Sequence, residues 1–292
     1  MQRRHFLATL AATTLRAAPA PQICLFTDHL GGFTAQEVAR MLKDLGVGPD
    51  LTVRKGGIVP HEQAATELPK AHAAFKDQGL TITMITTGIN SVADPNTKPL
   101  LETAAKLGIR HYKLGYFRYE NLANYRETIA AAHKNMAELA ILNRKLNLRA
   151  GLHNHAGDSV GCCVWDAAEA LQGIDTQAVG YFFDPAQATI EGGKIGWNLA
   201  FRRAQSNLAM IAIKDFVWEK TEKGWRTKWV PLGQGMTDYA TFRTLLQSTN
   251  FSGPMTLHIE YNPGGNTKTE RYDRALEAGA RDLKFLKEKI LA

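Results

Sequence analysis

The chain has 292 residues, which suits one large domain or two small ones. Hydrophobic residues make up 45% and charged residues 22%, a composition that excludes a disordered or low-complexity chain. Three of the basic residues behind the formal charge of +7 lie in an acid-free first segment. Beyond residue 20 the count is 32 basic to 28 acidic residues, with no basic stripe interleaved with aromatics, so nucleic acid is not an expected partner.

In chain order, the first feature is Arg3-Arg4, followed by an apolar run over 6–15 and small residues over 17–20. This reads as a twin-arginine-like export signal over 1–20, cleaved within 15–20. The run is far shorter than the roughly 20 apolar residues of a spanning helix. A periplasmic or otherwise exported protein with no stable membrane insertion after processing is expected.

From about residue 21 to 292, strand-like apolar runs alternate with amphipathic helical ones. Strands are predicted at 23–26, 51–53, 80–85, 109–114, 148–152, 178–183, 209–213 and 255–259. Helices are predicted at 36–45, 67–76, 98–107, 125–142, 164–171, 197–203, 239–246 and 272–290. Strict alternation implies a parallel sheet. Eight units without a composition break favour a closed single-domain (β/α)8 barrel over a doubly wound sheet. Thr34 and Asp238 are plausible N-caps. The longest segment without a predicted element is 215–237, which carries Trp218, Trp225 and Trp229 and should be functional as a loop of that length. Cys24 reads as core filling, and adjacent Cys162 and Cys163 read as packed thiols rather than a redox pair.

Barrel active sites sit past the C-terminal ends of the strands, and several strands here end in polar clusters. The fifth runs into His153-Asn154-His155, where alternation puts the two histidines on one face, for metal ligation, base catalysis or a polar cap. The sixth ends at Asp184, an N-cap or a ligand, with Gln187 three residues on. The seventh ends at Lys214, which either faces substrate, pairs with a carboxylate or leans outward. The eighth places His258 and Glu260 on the inner face, where a buried carboxylate needs a cation or a proton. The fourth contributes Lys113 and Tyr116, the latter a platform for a sugar face or a core aromatic. Asp28-His29 follows the first strand.

These residues resemble the xylose-isomerase-like (AP endonuclease family 2) barrels. The resemblance rests on His153-Asn154-His155-Ala156-Gly157, Asp184-Pro185-Ala186-Gln187, Lys214-Asp215-Phe216, Pro231-Leu232-Gly233-Gln234-Gly235 and His258-Ile259-Glu260-Tyr261. It implies one divalent ion at the barrel mouth, manganese first, with cobalt, magnesium or zinc as alternatives. The family's ligands are usually Glu, Asp, His and Glu from strands five to eight. In this chain the strand-five position holds His153, Asp184 and Glu260 are kept, and Ala212 replaces the strand-seven histidine. Gln187 stands where a further histidine is usual.

The resemblance therefore implies metal at His153, Asp184 and Glu260, and proton transfer by Glu260 or His153 with Lys214 holding a substrate oxygen. His155, Gln187, His258, Tyr116 and Trp218 are the expected substrate contacts. The implied reaction is isomerisation or epimerisation of a non-phosphorylated sugar or keto-sugar through an enediolate. Elimination from a keto-sugar or keto-glycoside is the alternative outcome. A barrel that binds sugar without turning it over is the other reading, and a Lys214–Glu260 pair in place of a metal would favour it. The expected partner is a small carbohydrate, and a homo-oligomer is compatible with the sequence.

Overall fold

A computed structural model describes residues 20–292, so the expected export segment lies outside the described residues apart from Ala20. Eight parallel strands close into a barrel: β1 (Gln22–Phe26), β2 (Gly48–Val53), β3 (Met84–Thr87), β4 (His111–Lys113), β5 (Arg149–His153), β6 (Val179–Phe183), β7 (Leu208–Ile213) and, last in the chain, β10 (Pro254–Leu257). β1 pairs with both β2 and β10, which completes the closure. The helices of the outer ring are α1 (Ala35–Leu45), α2 (Ala64–Asp77), α3 (Thr97–Lys106), α4 (Tyr125–Leu146), α5 (Val164–Ala170), α6 (Pro185–Ala204), α7 (Tyr239–Gln247) and α8 (Lys268–Phe285).

Local chemistry sets several boundaries. Thr34 caps α1 in a reciprocal box with Glu37, and Gly46 ends that helix with φ 67°, a conformation glycine adopts without strain. Asp238 caps α7 by accepting from the Thr241 N–H. The sixth helix differs from the expected 197–203. It begins at once after Asp184, which accepts from the Gln187 N–H, and Pro185 sits in its first turn. Gly193 (φ 58°, ψ −159°) breaks it inside, so the helical periodicity is legible only in the second half.

The segment 215–237 is not an irregular loop. It folds into an antiparallel hairpin of β8 (Asp215–Thr221) and β9 (Gly224–Val230), standing outside the barrel as a separate two-stranded ribbon. Glu219 ties it across the strands to Arg226 at 2.7 Å and Lys228 at 2.9 Å. The ribbon is mostly solvent-facing and so lacks the apolar run by which a barrel strand is recognised. Its base is held by Asp215, whose carboxylate accepts from the N–H groups of Gly233, Gly235 and Thr237.

Two apolar cores share the strands. The larger lies between barrel and helices, and a small one fills the barrel with Cys24, Met84, Phe182, Met210 and Ala212. This inner core is tight: a Cβ on Gly151 would lie 2.1 Å from Met210 Cε. Above it comes a polar layer, where buried Asp50 accepts from Thr86 at 2.8 Å and Thr256 at 3.2 Å. Burial pushes its carboxyl up to about 6, against the pull of His258 and the two threonines. The next residues up the same strands form the mouth.

Candidate active site

The mouth is a cavity of about 310 Å³ lined by Phe26, Asp28, His29, Arg54, Thr86, Lys113, Tyr116, His153, His155, Trp229, His258 and Glu260. These residues come from the C-terminal ends of β1 to β5 and β10 and from the β8–β9 hairpin, the usual place for barrel chemistry.

Two imidazole–carboxylate pairs organise it. His153 Nε2 lies 3.3 Å from Asp184 Oδ2, and His258 Nδ1 lies 3.2 Å from Glu260 Oε1. Each ring is stacked on a phenylalanine: His153 on Phe182 at 4.5 Å between centroids, and His258 on Phe26 at 4.2 Å. Stacking fixes the ring planes, and the carboxylates fix the tautomers, since a carboxylate accepts the ring N–H. The proton of neutral His153 is thereby on Nε2 and that of neutral His258 on Nδ1. The other nitrogens, His153 Nδ1 and His258 Nε2, are buried and have no hydrogen-bond partner among the described residues. The two rings are 6.3 Å apart. Burial holds His153 down at about 3, so it is the free base at any working pH.

Lys214 joins the pairs. Its Nζ is 3.2 Å from Asp184 Oδ2 and 2.9 Å from Glu260 Oε1, and lies 4.5 Å over the Trp229 ring. Burial opposes its charge, but Asp184 and Glu260 outweigh burial and push it up to about 12. Burial likewise opposes the Asp184 carboxylate, yet Lys214 and then His153 hold it down at about 2. Glu260 is held well below the carboxylate range by Lys214 and His258 in spite of its burial. Asn154 braces Asp184 from behind, accepting from its N–H at 2.7 Å and donating to its carbonyl at 3.0 Å. The loop after β5 closes on Gly161 (φ 98°), where a Cβ would lie 2.7 Å from the His153 carbonyl, so only glycine lets the loop pack there.

The expected metal donors therefore share one mouth without forming one coordination sphere. Among the described residues only Cys162, Cys163 and Asp166 bring three such donors within 4.8 Å of one another; His153, Asp184 and Glu260 do not. The space between Asp184 and Glu260 holds an ammonium, His153 turns Nε2 to Asp184, and Ala212 is packed in the inner core. A dication would have to displace a lysine already neutralised by both carboxylates. The residues present do not fit the metal that the resemblance implies.

Other expectations are also corrected. Lys214 is 2% exposed and does not line the cavity, because both carboxylates hold it beneath the mouth. Gln187 is 2% exposed and spends its carbonyl on the Ala156 N–H at 3.0 Å, bracing the His153 loop against α6. Trp218 faces outward on the hairpin, 40% exposed, and Trp229 is the tryptophan at the mouth. His155, His258 and Tyr116 do line the cavity. Sequence reasoning gave no role to Arg54, which pairs with Asp28 at 2.6 Å, or to Lys113. The signal for Lys113 was present in Tyr112-Lys113-Leu114, a lysine between two buried apolar residues at a strand end.

Comparison with known proteins agrees with this architecture. The family model described as xylose isomerase-like TIM barrel matches residues 51–289, and the chain belongs to that family. No curated protein matches the sequence. Solved structures that superpose on it include the Escherichia coli 3-keto-D-glucoside 4-epimerase, at 14% identity and TM-score 0.65, covering 88% of this chain and 98% of that one. The probable 3-DHS dehydratase of Bacillus anthracis superposes at 15% identity and TM-score 0.67, covering 92% and 99%. A xylose isomerase-like barrel protein from Mycobacterium smegmatis, solved in complex with magnesium, superposes at 16% identity and TM-score 0.64, covering 92% and 100%. At these identities the likeness establishes the fold.

Proposed function

We propose that this barrel moves a proton at a carbon next to the carbonyl of a non-phosphorylated keto-sugar, with His153 and His258 as the two bases. The observation that carries this reading is the pair of imidazoles, each oriented by a carboxylate, each with an unpartnered nitrogen, in the walls of one cavity. A buried polar nitrogen left without a partner costs roughly 1–3 kcal/mol, so each of these two is open to a ligand, a water or a proton entering the cavity. A carboxylate holding one ring N–H presents the other nitrogen as the proton acceptor, and at His153 the Asp184 carboxylate offsets part of the burial that weakens the base. Their ring centroids lie 6.3 Å apart, and proton removal by one ring with return by the other is epimerisation or isomerisation. Loss of a leaving group from the same enolate would make the protein a dehydratase or lyase. Among the described residues that line the cavity the one guanidinium is Arg54, and it is already paired with Asp28, which weakens it as a phosphate anchor. Glu260 and Asp184 orient the rings, and Lys214 is the fixed cation that keeps both carboxylates ionised. The donor arrangement argues for a site that works without manganese. An exported location belongs to this proposal, and a reporter fused after residue 20 tests it.

Binding without turnover is the second reading, and the Lys214–Glu260 pair favours it. Solvent exchange separates the two. The protein is incubated in D2O with D-fructose, D-tagatose or a 3-keto-glucoside, and the proton next to the carbonyl is followed by NMR. Loss of that signal in the wild type, and its persistence with His153→Gln or His258→Gln, is the expected result. Saturation transfer to a sugar that exchanges nothing would leave a binding barrel.

A further inference from the structure

The proton-transfer reading leaves open what draws electrons from the carbonyl. Lys214 is buried beneath the cavity and Arg54 is paired. One amine remains. Lys113 ends β4, is 4% exposed and lines the mouth with Tyr116, His153 and His258. Its Nζ contacts the Leu114 carbonyl at 2.8 Å and the Tyr116 ring face at 4.0 Å from the centroid. Among the described residues no carboxylate forms a salt bridge with it, whereas Lys214 has two. A buried ammonium without a counter-charge is costly, so such a lysine favours the free amine, and an amine beside other cations is an activated nucleophile.

We propose that Lys113 is an imine-forming lysine, whose Nζ condenses with the keto group of the bound sugar and serves as the electron sink for the proton transfer. This rests on the keto-sugar reading. The free amine of Lys113 adds to the carbonyl carbon, and the carbonyl oxygen departs as water with one hydrogen from the amine and one proton from solvent. A positively charged iminium is left on Nζ. When His258 or His153 takes the proton from the adjacent carbon, the C–H electron pair forms a C=C bond and the C=N pair returns to nitrogen, giving a neutral enamine. Reprotonation at that carbon and addition of one water release the sugar and regenerate the ammonium. One water leaves, one enters, and no oxidant or reductant is consumed.

The surroundings of Lys113 support the free amine. Burial, then the Arg54 charge and more weakly Lys214, lower its proton affinity to about 7, against the pull of Asp50 and Asp28. The lowered proton affinity makes free amine accessible at neutral pH.

The test is reductive trapping. The wild type is mixed with D-tagatose or D-fructose and sodium cyanoborohydride, and the digested protein is mapped by mass spectrometry. Expected is a mass gain equal to the sugar minus one oxygen, on Lys113, rising as pH rises through about 7. Lys113→Met should lose this label while keeping any slow labelling of exposed lysines, and should exchange the sugar proton at least about a hundredfold more slowly. His258→Gln should still be labelled but exchange slowly. Wild-type exchange in D2O without any adduct on Lys113 would overturn the imine and leave the proton-transfer reading standing. Neither exchange nor adduct with a bound ketose would overturn both. The wild-type map decides the matter even if Lys113→Met fails to fold.

Discussion

Replacing Lys214 with methionine isolates the interaction on which the mouth depends. Methionine keeps most of the stem and removes the charge. Asp184 is fully buried and the Glu260 side chain is 26% exposed, so the variant buries nearly two uncompensated carboxylates. Breaking a buried pair by removing one partner costs about 3–5 kcal/mol. At roughly 2–4 °C per kcal/mol for a chain of this size, the melting temperature should fall on the order of 6–20 °C. The pH dependence follows from the directions of the shifts. Asp184 is depressed from 3.8 to about 2, so its contribution is present above the unfolded value and is lost as pH falls through about 2. Lys214 is raised from 10.5 to about 12, so its contribution is present below the unfolded value and is lost as pH rises through about 12. The native pair is therefore intact from about pH 4 to 10. In the variant, burial is opposed only by the paired histidines and the Gln187 N–H, and both carboxylates take up protons at higher pH. Urea unfolding followed by circular dichroism at pH 8, 6 and 4.5 should show the gap between wild type and Lys214→Met narrowing as pH falls. A gap below about 1 kcal/mol at pH 8, or one that does not change with pH, would refute the role of Lys214 as the buried counter-charge.

Exchange of the sugar proton should drop about 10²–10⁴-fold in His153→Gln and in His258→Gln, measured by NMR in D2O, with the double variant no slower than the slower single one. Treatment with EDTA should leave the wild-type exchange rate within about twofold of its starting value, because the donors are tied to Lys214; the double variant Ala212→His/Lys214→Met should gain manganese affinity, read from the free Mn2+ signal in electron paramagnetic resonance. In Asp215→Ala, four backbone N–H groups, those of Phe216, Gly233, Gly235 and Thr237, lose their acceptor, so hydrogen exchange over 231–237 should accelerate and stability should fall by about 1–3 kcal/mol.

The barrel was legible in the sequence because each strand is buried on both faces and each helix on one. Those two burial patterns have different periods, and both are written in the order of apolar residues. Polar residues just past the apolar runs, His153, Asp184, Lys214 and Glu260, could be assigned to one mouth because closure brings all strand ends to one face. Alternation along each strand also foretold that His258 and Glu260 share a side. The hairpin at 215–230 was not legible, since an exposed two-stranded ribbon buries little on either face and leaves no apolar run. The division of labour inside the mouth was decided only in three dimensions. Spacing cannot say whether Asp184 and Glu260 face a metal or an ammonium, because that depends on how far the Lys214 side chain reaches between strands 46 residues apart in the chain. Nor can it show that Lys113, without a carboxylate, lines the cavity while Lys214, with two, lies beneath it. Ion pairing across a closed sheet is a property of distance between side-chain tips, and that distance is set by register and tilt rather than by order along the chain.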